Sequence, residues 1–84
     1  MSHPVDIHVG QKLKQIRTLR RLSQTDVAKR LNLSFQQIQK YEKGTNGVSS
    51  IRLLQLSNYL KVPINYFFED FLAIYFVNLK VERI

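Results

Sequence analysis

Three glutamines and two lysines fall within one short segment, Ser34 to Gly44. Ile38 and Tyr41 share a face at helical spacing there, so Gln36, Gln37, Gln39, Lys40 and Lys43 point the other way. A glutamine amide pairs bidentately with adenine N6 and N7, and a lysine ammonium reaches guanine O6 and N7. Taken alone, such residues more often make an ordinary solvated helix face. No other grouping competes for chemistry. His3 and His8 have no partner at ligand spacing, so no metal is expected. A nucleophile motif, a glycine-rich phosphate loop and a paired set of acids are all missing. With six acids in the chain, two of them at Glu69-Asp70, neither catalysis nor a cofactor nor a small-molecule ligand is expected.

Charge adds a second pointer. Thirteen Lys and Arg stand against six Asp and Glu, a net +7. From Lys12 to Lys43 nine bases face two acids, whereas Glu69 to Ile84 holds three acids and two bases. A basic front half beside a near-neutral tail suggests one surface turned to a polyanion. At 84 residues the chain makes one domain. It has no cysteine, which excludes a disulfide framework and thiolate metal sites. The start, Met1 to Asp6, does not read as a signal peptide. The longest apolar run, Phe71 to Val77, is far short of the ~20 residues of a membrane-spanning helix. A soluble cytoplasmic protein without membrane contact is expected.

The elements that must hold this segment can be read from apolar spacing and caps. Residues 1–8 lack helical periodicity and are expected to be a flexible arm. Val9, Leu13, Ile16, Leu19 and Leu22 make the stripe of a first helix. Ser23 caps a second helix over 24–31, with Asp26 in its first turn and Asn32 at its end. Ser34 caps the third helix, over 34–43, which stops at Gly44. Only Asn32-Leu33-Ser34 separates the two, so they cross steeply rather than lie side by side. After a loop at Gly44 to Val48, Ser49 or Ser50 caps a fourth helix with the apolar face Ile51, Leu53, Leu54, Leu56, Tyr59 and Leu60. Pro63 ends it and opens a short fifth helix over 65–68.

The run SQTDVAKRLNLSFQQIQKYEKG, Ser23 to Gly44, resembles the helix-turn-helix of the lambda-repressor/Cro-like family of regulators. VGQKLKQIRTLRRL before it and VSSIRLLQLSNYLKVPINYFF after it are similar to that family's other helices, so the resemblance covers about residues 9–68. It implies an all-α, five-helix DNA-binding domain over 9–70. It also implies a third helix that enters the major groove of double-stranded DNA in a bacterial or phage regulator acting in repression. Gln36, Gln37 and Lys40 are then the base readers, while Gln24, Ser34, Lys43, Thr45, Asn46 and Arg17 become phosphate contacts. Arg17 and Glu42 are expected to form a bridge holding the recognition helix. Phe35 stands where the family has a polar residue; packing against the second helix is favoured over contact with a thymine methyl. The rival reading is a protein-interaction module, such as an antitoxin or anti-repressor, on the same fold.

The extension at 71–84 matches no family pattern. Val77, Leu79 and Val81 alternate with polar residues, which favours a β-strand. Phe71, Ile74, Tyr75, Phe76, Val77 and Leu79 are expected to build a homodimer interface.

Overall fold

A computed structural model describes residues 3–71. Four α-helices follow in order: α1 (Pro4–Leu19), α2 (Gln24–Leu31), α3 (Phe35–Lys43) and α4 (Ser50–Leu60). A 3-10 helix, Ile64–Phe68, closes the described chain. No strand occurs among the described residues, and the expected C-terminal strand lies outside them.

The caps account for the boundaries. The Ser23 hydroxyl accepts from the Asp26 N–H at 2.9 Å, and the Ser23 N–H donates to Asp26 Oδ2 at 2.8 Å. Donation to the Asp26 carboxyl, first from the Ser23 N–H and then from the Ser23 hydroxyl, holds it below its usual range. Ser34 and Ser49 cap α3 and α4 in the same way, accepting from Gln37 and Arg52. Asn32 (φ 57°) and Gly44 (φ 77°) end α2 and α3 in the left-handed conformation.

The expected fifth helix is instead the 3-10 helix. Its five residues follow Pro63, which provides no capping side chain, and so short a segment tightens readily into 3-10 geometry. It is fastened to α1. The Tyr66 hydroxyl donates to the Lys12 carbonyl at 3.1 Å, and burial raises the Tyr66 phenol above its usual range. Lys12 Nζ lies 5.1 Å from the centre of the Tyr66 ring and 3.4 Å from Asp70 Oδ2.

The flexible arm expected over 1–8 is mostly helix. His3 Nδ1 accepts from the Val5 N–H at 3.3 Å, Pro4 takes the first helical position, and Asp6 lies in the first turn. Tertiary contacts then hold this extra turn. Val5 packs against the core, and a Cβ at Gly44 would lie 2.8 Å from the Ile7 nitrogen.

The core is Val9, Leu13 and Ile16 from α1, Val27, Ala28 and Leu31 from α2, Ile38 and Tyr41 from α3, and Leu53, Leu56 and Leu60 from α4, with Phe67. Three residues assigned by spacing to inward faces point outward instead: Leu19 is 70% exposed, Ile51 68% and Leu54 58%. Leu19 is the last residue of its helix, and Ile51 and Leu54 flank the line that Leu53, Leu56 and Leu60 turn inward.

α1 comes close to the backbone of α3 at Gly10. A Cβ there would lie 2.7 Å from the Glu42 carbonyl oxygen and nearer still to that of Tyr41. Gly10→Ala should therefore cost about 1–3 kcal/mol by forcing the two backbones apart, read as a fall in thermal midpoint. A midpoint at or above that of the unchanged chain would contradict this packing.

Candidate nucleic-acid interface

α3 divides into two faces. Ile38, Tyr41 and Glu42 are buried, while Phe35, Gln36, Lys40 and Lys43 are exposed and Gln37 and Gln39 are half-buried. Gln36, Lys40 and Lys43 follow one another at spacings of four and three, one strip along the helix. Gln37 borders the strip. The structure thus brings Gln36, Gln37, Lys40 and Lys43 onto one outward surface.

Glu42 fixes the opposite side. Its Oε2 accepts from Arg17 Nε at 2.6 Å, and its Oε1 accepts from Arg17 Nη2 at 3.1 Å and from Gln24 Nε2 at 3.0 Å. Arg17 Nη1 donates to the Leu22 carbonyl at 2.8 Å. One carboxylate therefore ties α1 and the start of α2 to the end of α3. The pair is nearly closed to solvent, with side chains 11% exposed for Arg17 and 4% for Glu42.

The other expected phosphate contacts separate into two groups. Arg17 is directed inward, with three of its donor bonds made inside the domain. Thr45 is likewise occupied: its N–H and its hydroxyl both donate to the Lys40 carbonyl, at 3.1 and 3.2 Å. Its role here is to close α3. By contrast Lys43, the last member of the strip, and Asn46 beyond it are exposed. The exposed Ser34 hydroxyl accepts from Gln37 while keeping its own proton to donate. Gln24 is half-buried at the start of α2.

Of the expected dimer residues, Phe71 is half-buried, with its ring centre 5.3 Å from that of His8. Ile74, Tyr75, Phe76, Val77 and Leu79 lie outside the described residues. Phe35, expected to pack against the second helix, is 43% exposed, and Leu33 in the turn packs against the core. Among the described residues no group of His, Cys, Asp and Glu could hold a metal ion.

A family model described as helix-turn-helix matches residues 13–67, the span that holds this geometry. The chain belongs to that helix-turn-helix family, in its Cro/C1-type branch. It is 53% identical over 68 residues to an uncharacterized transcriptional regulator in the ATPase CF(0) region of Rhodospirillum rubrum, covering 81% of this chain and 63% of that protein. The chain thus spans less than two thirds of that relative's length. Among solved structures it is similar to the restriction-modification controller protein C.AhdI of Aeromonas hydrophila. The TM-score is 0.69 at 29% identity, over 74% of this chain and 94% of that one. The DNA-binding domain of BldD gives the same TM-score and identity, over 80% of this chain and 97% of its own.

The helix-turn-helix should depend on its buried bridge. Arg17→Met leaves the Glu42 charge desolvated and lacking its ionic partner, at a cost of about 3 kcal/mol. Adding Glu42→Leu should recover part of that loss. Thermal melts of the two single variants and the double variant check this; neutral single changes would mean that the bridge carries no stability.

Proposed function

We propose that the chain is a sequence-specific regulator that binds double-stranded DNA with α3 in the major groove. The observation that carries this reading is the exposed strip Gln36, Lys40 and Lys43, bordered by half-buried Gln37, on a helix whose other side is locked by Glu42. In a helix-turn-helix the second helix lies in the groove with its N-terminal residues at the base edges. Gln36, Gln37 and Lys40 then read bases. Lys43, Ser34 and Asn46 meet phosphates, which set the register without reading sequence. Gln24 joins them through the start of α2, where free amides favour an anion. The likeness to the DNA-binding domain of BldD supports the same reading.

A single short helix reads few base pairs, so useful specificity needs two half-sites and two copies of the domain. The apolar residues of 71–84 supply that contact in this proposal, and the dimer acts as a repressor by occupying its site in the cytoplasm. Among the described residues no helix is long and apolar enough to cross a membrane. A second reading, a protein-interaction module, is favoured by exposed Ile51 and Leu54 on α4. The two differ in salt response, because only neutralised phosphates release counterions.

Two substitutions test the assignment. Gln37→Ala should weaken binding to a selected site by about 1–3 kcal/mol and leave random DNA nearly unaffected. Lys43→Ala should weaken both alike and lower the salt slope by about one. Equal losses on both DNAs for Gln37→Ala would move it to the phosphate group, and a flat salt response of the unchanged chain would favour the interaction module.

Removing residues 72–84 should convert a sedimenting dimer to a monomer and reduce affinity for a two-half-site duplex. A dimer that persists with undiminished affinity would place the interface elsewhere.

A further inference from the structure

Six large hydrophobic residues are exposed among the described ones: Ile7, Leu19, Phe35, Ile51, Leu54 and Ile64. Phe35 is the aromatic member, and it opens α3 directly beside Gln36. It is not among the buried residues of the core, and much of it is left open to solvent. The fold covers this phenylalanine only in part. A phenylalanine left 43% exposed retains apolar surface that gains free energy when another apolar group covers it.

The first turn of a recognition helix faces base edges. Those edges are polar except for one group, the thymine 5-methyl, and phenylalanine is among the side chains that meet it. An A·T pair presents this methyl beside the adenine N6 and N7 that a glutamine amide reads. Phe35 and Gln36, adjacent at the head of α3, offer both kinds of contact. We infer that Phe35 is a specificity-determining residue that packs on the 5-methyl group of a thymine in the operator half-site. This rests on the DNA-binding reading given above.

Deoxyuridine isolates the contact, since it keeps the pairing and the O4 acceptor of thymine and lacks only the methyl. A duplex is first selected from random DNA with the full chain. Each thymine of a half-site is then replaced singly by deoxyuridine. One replacement should weaken binding of the unchanged chain about four-fold, the weight of one buried methyl. Phe35→Ala should bind the thymine duplex more weakly and no longer distinguish the two bases at that position. If Phe35→Ala melts below the assay temperature, Phe35→Gln serves instead, keeping a side chain of similar length without the ring. A selected duplex whose deoxyuridine replacements all leave affinity unchanged overturns the Phe35 assignment alone. The same holds if Phe35 variants keep the full four-fold discrimination. Failure to select any sequence removes the groove reading and Phe35 with it.

Discussion

The Glu42 carboxylate holds α3 in place. α3 sends only Ile38 and Tyr41 into the core, because most of its remaining surface is polar and turned outward. Two apolar anchors fix how deep such a helix sits and leave it free to roll. Glu42 restrains the roll by accepting from Arg17 on α1 and Gln24 on α2 at once. A buried carboxylate loses its hydration, and charge-assisted bonds of this kind offset the loss only while all partners stay in place. Gly10 serves the same end from the backbone side, since it lets α1 approach the Tyr41 and Glu42 carbonyls.

The positive charge of the chain is partly used inside the fold. Arg17 neutralises Glu42, and Lys12 pairs with Asp70. Arg20 donates to the Leu60 and Lys61 carbonyls at the end of α4, and Arg52 donates to the Leu31 carbonyl at the end of α2. Terminal carbonyls of a helix lack intrahelical partners, and a cation there also meets the negative end of the helix dipole. Arg30 lies over the Tyr59 ring, with its guanidinium carbon 5.5 Å from the ring centre. The count of thirteen cations therefore overstates how many are free to meet a polyanion. Position on α3, rather than total charge, singles out Lys40 and Lys43.

Local signals were legible in the sequence and tertiary ones were not. Ser23, Ser34, Asn32 and Gly44 act within one turn of themselves, and the bounds of α2 and α3 follow from them. The pairing of Arg17 with Glu42 came from family resemblance, since no spacing rule joins residues 25 apart. The turn Pro4–His8 was missed because its support comes from Gly44 and the core rather than from apolar periodicity. The cue was nevertheless present, a capping histidine followed by proline and then an acid in the first turn. Ile51 and Leu54 went astray for one reason. Periodicity identifies an apolar stripe but does not tell whether a partner element is wide enough to cover it.

A rigid frame also decides what recognition must order. Backbone ordering is already complete in a capped and bridged α3, so association immobilises side chains alone. Each long, freely rotating side chain costs roughly 0.5–1.5 kcal/mol to fix. Gln36, Lys40 and Lys43 are exposed and carry that cost in full, whereas half-buried Gln37 has part of its freedom removed before any partner arrives. A ring with two torsions, such as Phe35, loses less entropy per unit of contact area than a lysine does. The head of α3, where Phe35 and Gln37 lie within one turn of each other, is thus the most economical place on the helix to discriminate one partner from another.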